Sequence, residues 1–256
     1  MKRDELVRFL NDKLELGRFG GDVSNNGLQI EGNEEVTRIA YGVDASLLMA
    51  RSAAVAGAEF VFVHHGLSWG GEPRRLTGVT AARYREFFAN NTSLYAVHLP
   101  LDAHPELGHN AQLSDMIGIE KRQAFCSYHG MEIGWSGVLG EAATAAELLE
   151  LYTAKLASPP MGNIYGEKAG KRVRSVGVVS GGGGQGAVMD AIERGLDLLV
   201  IGEVSHELYN TIMESGLVVL ELGHYASETP GVEAVMKMVE NELNLPGVWI
   251  DLPTGL

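Results

Sequence analysis

The stretch IAYGVDASLLMARSAAVAGAEFVFVHHG, residues 39–66, decides the fold class because it reads as strand, helix and strand in direct succession. The apolar run IAYGV predicts the first strand. The alanine-rich middle predicts a helix with Ser46 as its N-cap and Gly57 as its C-terminal stop. The second apolar run predicts a buried strand, and it ends on two adjacent histidines, His64 and His65.

The same alternation continues downstream of the two histidines. The sequence predicts a helix over 79–91, a strand over 93–99 and another helix over 109–118. Repeated strand and helix segments are typical of an α/β sandwich, with helices lying over a largely parallel or mixed sheet.

A second copy of the opening pattern occurs near the C-terminal end. Residues 175–204, SVGVVSGGGGQGAVMDAIERGLDLLVIGEV, again give a strand, a polar turn, a helix and an apolar strand with a polar end. The recurrence indicates two related α/β halves. The segment 217–243 adds a further strand, turn and helix.

The turn of this second copy is the glycine-rich stretch SGGGGQG, residues 180–186. It formally matches the dinucleotide-binding pattern, but so many glycines make the match unspecific. It lacks the Lys-Ser/Thr pair of a P-loop. The open alternatives are a tight turn that approaches a ligand or subunit and a phosphate cradle at a helix N-terminus.

The composition favours a globular cytoplasmic protein. The 256 residues are 45% hydrophobic and include one cysteine, so an internal disulfide is excluded and a reducing compartment is expected. No apolar run approaches the roughly 20 residues that span a bilayer, so we predict no membrane segment. The charged start MKRDELVRFLNDKL does not resemble a signal peptide. Cys126 is interpreted as a small apolar core residue.

The net charge of −13 argues against nucleic acid as a partner. Lysine and arginine form only small clusters, in EPRRL and in EKAGKRVR. Binding of nucleic acid or of a phosphate would need such a local patch, and Arg74 and Arg75 of the first cluster are its candidates.

Polar residues follow four of the predicted strands, where ligands of open α/β sheets bind. These residues are His64 and His65 at the end of the run that begins at Phe60; His98, Asp102 and His104 at and after the end of the strand 93–99; Glu203, His206 and Glu207 after the apolar strand of the second copy; and His224 and Glu228 after the strand of the segment 217–243.

His224 and Glu228 are four positions apart, which places them on one face of a helix. An imidazole and a carboxylate in this arrangement suit a divalent metal, although a surface pair or a helix cap has the same spacing. Asp102 also has an interpretation without metal binding, as a cap in the proline-bounded loop LPLDAHPELG.

The combination of these residues is more specific than any member. Three histidines and two carboxylates at strand ends are typical of two-metal hydrolytic sites, in which a carboxylate bridges the ions. Because consecutive side chains of a strand diverge, His64 and His65 serve two ions better than one. The ligand types suit iron, manganese or zinc, and no thiolate takes part.

Five motifs together resemble one known family. SNNGLQIEG, FVFVHHGLSW, LYAVHLPLDAHPELGHNAQLSDMIGI, VIGEVSHE and LGHYASETPGV occur in order along nearly the whole chain. They resemble the Nif-three-like family, whose members often carry the name GTP cyclohydrolase 1 type 2 homolog. The chain is similar to the short bacterial members.

The resemblance implies a Nif-three-like fold of two α/β halves, the first completed by the C-terminal segment. On this basis we predict a first domain of 1–124 plus 220–256, which carries most metal ligands, and a second domain of 125–219. The resemblance also implies a toroidal homohexamer, built as a trimer of dimers.

The resemblance further implies a dinuclear site. His64 and Asp102 would bind one divalent ion, His65 and His224 the other, and Glu228 would bridge both. The expected activity is metal-dependent hydrolysis of a nucleotide or related small molecule, with Glu203 or His206 moving a proton. The alternative is a non-catalytic ring that binds metal or regulates a partner.

Overall fold

The computed structural model describes residues 1–18, 20–71 and 75–256, and it divides into two compact units. The first unit contains Met1–Leu101 and Val232–Leu252, and the second contains Asp102–Gly231 and Pro253–Leu256. Residues 102–124, 220–231 and 253–256, which the prediction places in the first domain, cluster with the second unit. The predicted domain boundaries themselves stay a prediction.

The first unit is built on a five-stranded mixed sheet, in the order β1-β4-β3-β2-β11. Its strands are β1 (Gly27–Ile30), β2 (Ile39–Asp44), β3 (Phe60–His65), β4 (Ser93–Ala96) and β11 (Gly247–Trp249). Strands β11, β2, β3 and β4 are parallel, and β1 pairs antiparallel with β4. The strand with the two histidines is therefore central, and its neighbours cover both of its edges.

Helices of the first unit pack against this sheet. The helices are α1 (Arg3–Lys13), α2 (Leu47–Val55), α3 (Gly78–Ala89), most of α4 (Leu99–Asp102), most of α10 (Thr229–Leu243) and a 3-10 turn at Leu16–Arg18. One core cluster joins Val61 and Val63 of β3 to Met49 and Ala53 of α2 and to Phe87 of α3. The predicted buried strand is confirmed, because Phe60 to His64 are all fully buried.

The predicted boundaries of α2 are confirmed by its end groups. The Ser46 hydroxyl accepts a hydrogen bond from the Met49 N–H at 3.0 Å, which satisfies one of the donors that every helix start leaves open. The helix ends at Val55, and Gly57 follows with a φ of +69°, the left-handed conformation that glycine adopts without strain.

The second unit is built on a six-stranded mixed sheet, in the order β5-β6-β8-β9-β10-β7. Its strands are β5 (Ile119–Tyr128), β6 (Met131–Ala143), β7 (Asn163–Tyr165), β8 (Val173–Val179), β9 (Leu198–Ile201) and β10 (Val218–Glu221). Strands β8, β9 and β10 are parallel, and β5, β6 and β7 pair antiparallel.

The helices of the second unit follow the strands in the expected alternation. They are α5 (His109–Met116), α6 (Ala145–Lys155), α7 (Gly184–Glu193), α8 (Tyr209–Ser215), α9 (His224–Ser227) and a 3-10 turn at His206–Leu208. Helix α6 begins with a capping box, in which Thr144 and Glu147 bond each other's backbone N–H. Among the described residues, every helix is too short or too polar to cross a bilayer.

The repeat predicted from the sequence is a unit of strand, helix and parallel strand that occurs once in each sheet. Strands β2 and β3 are parallel neighbours joined by α2, and β8 and β9 are parallel neighbours joined by α7. The predicted fold class, an α/β protein of two related halves, is confirmed, with one mixed sheet in each of the two units. The long hairpin of β5 and β6 is an addition, because the sequence pattern did not indicate a strand over Ile119–Tyr128.

Candidate metal-binding groups

The two histidines lie at the end of β3 in the first unit. His64 is fully buried and His65 is partly exposed. Their ring centroids are 4.5 Å apart, so the imidazoles do not diverge as strand alternation alone predicts. His65 is the last residue of the strand and pairs with Asp44 of β2.

Each of these imidazoles is anchored through its Nδ1 atom. The Nδ1 of His64 lies 2.9 Å from the Val97 carbonyl oxygen, and the Nδ1 of His65 lies 2.9 Å from Oδ1 of Asp44. Both partners accept hydrogen bonds, which places the ring proton on Nδ1 and makes Nε2 the nitrogen that can act as a metal ligand. Metal-binding histidines are typically held by such carbonyl or carboxylate partners.

A third histidine, His98, completes this group. Its ring centroid is 5.2 Å from that of His64 and 5.6 Å from that of His65. The three residues each offer a ring nitrogen within 4.8 Å of the others, a spacing that suits one metal ion. The sequence analysis placed His98 among the polar residues near strand ends but not among the expected metal ligands.

Asp22 anchors His98, and no sequence signal singled it out. Its side chain is only 1% exposed, and Oδ1 lies 2.9 Å from Nδ1 of His98. It also accepts hydrogen bonds from the backbone N–H groups of Ser24 and Leu99 and from the Asn26 amide. Burial alone would raise the pKa of Asp22, but the hydrogen bonds from His98, Asn26 and Ser24 outweigh it and lower the pKa to about 2.

We expect Asp22 to make folding stability depend on acid. Its folded pKa of about 2 lies below the ordinary value of 3.8, so its contribution is fully present above roughly pH 4 and is lost as the pH falls toward 2. The shift corresponds to about 2 kcal/mol of unfolding free energy. Urea titrations at several pH values should show a shallower acid loss for Asp22→Asn than for wild type. Exposed Asp12→Asn is the control, and wild-type acid dependence in Asp22→Asn would contradict the assignment.

In the second unit, Asp102 is held by two residues that the sequence did not single out. Asp102 is 5% exposed, and its Oδ1 accepts a hydrogen bond from the Ser180 hydroxyl at 2.9 Å. The Asn110 side chain, fully buried, donates to the Asp102 carbonyl at 3.3 Å and accepts from the Ser180 N–H at 2.6 Å. The predicted ligand is thus part of a buried polar network, and a simple cap in a loop does not describe it.

His224 lies between two carboxylates of the same unit. Its Nε2 is 3.2 Å from Oε1 of Glu228, as the four-residue spacing predicts, and its Nδ1 is 3.3 Å from Oε2 of Glu203. Burial disfavours a charged imidazole, yet the hydrogen bond and charge of Glu228, followed by those of Glu203, raise the pKa of His224 to about 9. Two carboxylates therefore lie beside one imidazole, and their combined negative charge favours a divalent cation at this position.

The two residues predicted to move a proton differ in position. Glu203 contacts His224, with its side chain half exposed. His206 opens the 3-10 turn and is exposed. Their roles in catalysis stay predictions. Of the two arginines proposed for a phosphate patch, Arg74 lies outside the described residues and Arg75 is exposed.

The possible metal-ligand atoms of these groups fit a divalent ion such as iron, manganese or zinc. They are imidazole nitrogens and carboxylate oxygens, which suit these metals.

Cys126 lies in β5, is 3% exposed, and its pKa is raised to about 12, mainly by burial. A buried neutral thiol of this kind agrees with the predicted core role.

Comparison with known proteins relates this architecture to a family. Residues 1–252 match the family described as Duf34/NIF3 (NGG1p interacting factor 3). A relative from Archaeoglobus fulgidus, named GTP cyclohydrolase 1 type 2 homolog, is 43% identical over 256 residues, which is 100% of both chains.

Solved structures give the same relationship at the level of the fold. A structure described as protein ybgI of unknown function superposes with a TM-score of 0.90 at 34% identity, covering 100% of each chain. A protein from Thermus thermophilus gives a TM-score of 0.86 at 34% identity, again over 100% of each chain. The resemblance seen in the sequence motifs is confirmed, and the chain belongs to the Duf34/NIF3 family.

Proposed function

We propose that the chain binds two divalent metal ions and uses them to hydrolyse a nucleotide or a related small molecule. The proposed metal ligands are those that the family motifs indicate: His64, His65, Asp102, His224 and Glu228. The proposed ion is iron, manganese or zinc, since these metals accept mixed imidazole and carboxylate ligands.

One observation carries the proposal: the two proposed histidine ligands of the first unit are each anchored through Nδ1. The anchor of His64 is the Val97 carbonyl, and the anchor of His65 is the Asp44 carboxylate. His98 is not among the five proposed ligands, but it is anchored in the same way by Asp22 and offers a ring nitrogen within 4.8 Å of theirs. Such anchoring sets tautomer and ring direction together, which is the usual support of a metal ligand.

The proposed chemistry follows from the ligand set. Divalent ions, when bound, lower the pKa of a water and polarise a substrate oxygen. The role of the chain is to hold the ions and to accept or deliver a proton near them. Glu203 is the better placed of the two predicted proton carriers, since its carboxylate lies 3.3 Å from His224 while remaining half exposed.

A purine nucleotide is the substrate class that the name of a relative suggests. The relative from Archaeoglobus fulgidus bears the name GTP cyclohydrolase 1 type 2 homolog. A nucleotide is negatively charged, and this chain has a net charge of −13. Bound metal cations would offset the repulsion between the two.

A hydrolysis screen distinguishes the proposed hydrolase from the alternative, a non-catalytic protein that binds metal or a partner. Metal-loaded protein is incubated with GTP, other nucleotides and their mono- and diphosphates, and products are separated by chromatography. We expect turnover that requires added metal and falls at least ~100-fold in Glu203→Gln if this residue moves the proton. Metal-loaded protein without turnover of any of these compounds would favour the alternative, a ring that binds metal or a partner.

The homohexamer remains part of the proposal through the family resemblance. Light scattering on the purified protein should give a mass about six times that of one chain. A monomeric mass would contradict the ring.

A further inference from the structure

We propose that Ser180 and Gly181 are positioning residues, which set the directions of the carboxylates of Asp102 and Glu228 for metal binding. These residues open the glycine-rich stretch of the second unit, whose role the sequence left undecided. The inference rests on the proposed function, since it concerns two of the proposed metal ligands. It concerns only residues within the second unit.

Ser180 acts on Asp102 by a direct hydrogen bond. Its hydroxyl donates to Oδ1 of Asp102 at 2.9 Å, and both residues are almost fully buried, at 6% and 5% exposure. The backbone of Ser180 is itself fixed, because its N–H donates to Oδ1 of Asn110 at 2.6 Å. Asn110 is in turn held by the Ile133 carbonyl at 2.7 Å. Fixing one carboxylate oxygen fixes the direction of the other, and partners of this kind tune metal affinity.

Gly181 acts on Glu228 by leaving room for it. A Cβ atom at position 181 would lie 2.1 Å from Oε1 of Glu228 and 3.2 Å from Nε2 of His224. The first distance is far inside van der Waals contact, so any side chain at this position would displace the Glu228 carboxylate. The Gly181 N–H also donates to the Ser227 hydroxyl at 2.9 Å, next to Glu228 in the chain. The backbone of the loop and the carboxylate are therefore fitted to each other.

The same loop contains a glycine that separates this steric effect from backbone strain. Gly181 and Gly184 both have a φ of +58°, which favours glycine at either position. A Cβ atom at Gly184 would meet nothing within 4 Å. Alanine at the two positions therefore costs similar backbone strain, and only alanine at 181 collides with a proposed ligand.

A similar comparison exists for the serine. Ser175, at the other end of β8, also donates its hydroxyl to an aspartate, Oδ2 of Asp197, at 2.8 Å. Asp197 is not among the proposed metal ligands. Ser180→Ala and Ser175→Ala thus each remove a serine-to-aspartate hydrogen bond, in one case from a proposed ligand and in the other from an aspartate of the same unit. Ser175→Ala also removes the hydrogen bond that its hydroxyl accepts from the Asp197 N–H at 2.9 Å, so it is the stricter control for general destabilisation.

The experiment measures Mn²⁺ affinity by titration calorimetry on the full chain, with thermal unfolding of each metal-free variant alongside. We expect Gly181→Ala and Ser180→Ala to bind Mn²⁺ about 10–100-fold more weakly than wild type, and Gly184→Ala and Ser175→Ala to bind within about 3-fold of it. Ser180→Thr, which keeps the hydroxyl, should recover most of the affinity lost in Ser180→Ala.

Equal affinities within each matched pair would overturn the inference while leaving the proposed function intact. If Gly181→Ala does not fold, the serine pair decides the question alone. A wild-type chain that binds no Mn²⁺, Fe²⁺ or Zn²⁺ would contradict the proposed function, and the inference with it. The two failures are therefore distinguishable in one set of titrations.

Discussion

Replacing Glu228 by glutamine is expected to weaken metal binding by at least ~100-fold and to lower the amount of metal retained on purification. The glutamine side chain has nearly the same shape but carries neither the negative charge nor the second carboxylate oxygen. Glu228 is 3% exposed and lies 3.2 Å from His224, another proposed ligand. Glu228 is the residue that would hold both proposed ions, so its replacement should weaken the binding of both.

Glu221 provides the matched control for this change. It is 5% exposed and lies in the same unit, but the Val204 N–H, the Asn163 amide and the Tyr165 hydroxyl already donate to its carboxylate. Glu221→Gln should lower stability through this network and leave Mn²⁺ affinity within about 3-fold of wild type. Both variants are measured by calorimetric titration with Mn²⁺. If Glu228→Gln bound Mn²⁺ as tightly as Glu221→Gln, the assignment of Glu228 as a metal ligand would be wrong.

Replacing Phe62 by alanine should lower the unfolding free energy by about 3–5 kcal/mol. Phe62 lies in β3, two residues before the first histidine, and is fully buried. Its ring lies 5.7 Å from both Tyr41 and Tyr95, on the two neighbouring strands. The truncation would leave a cavity between Tyr41 and Tyr95, in the strand that presents His64. This loss is a large part of the total stability of a typical domain.

Phe88 is the control for the core substitution. It lies on α3, is 60% exposed and stacks on Tyr84 at 6.4 Å. Phe88→Ala should change the unfolding free energy by no more than about 0.5 kcal/mol. Urea denaturation followed by circular dichroism measures both variants. Similar midpoints for the two would show that the aromatic stack does not stabilise the sheet as described.

Local signals in the sequence were sufficient for several of the regular elements. The cap at Ser46, the capping box of Thr144 and Glu147, and the apolar run before His64 each act within a few residues. The recurrence of strand, helix and strand in residues 39–66 and 175–204 indicated the two sheets for the same reason. The contact of His224 with Glu228 depends only on one turn of helix.

The remaining features depend on residues far apart in the chain. Asp22 contacts His98 across 76 positions, and Ser180 contacts Asp102 across 78, so no periodicity reports either pair. The strand β5 was missed because Lys121 and Cys126 both adopt positive φ, which interrupts the regular alternation of a strand. The crowding at Gly181 is equally a tertiary effect, invisible in a run of four glycines.

The metal content of the wild-type protein tests the central claim most directly. The protein is purified without chelators and without metal-affinity resin, and its iron, manganese and zinc are measured by mass spectrometry before and after incubation with each ion. We predict about two divalent ions per chain after loading. A chain that retains no metal and takes up none of the three ions would contradict the account, and would leave the anchored histidines of β3 as a buried polar cluster of the fold.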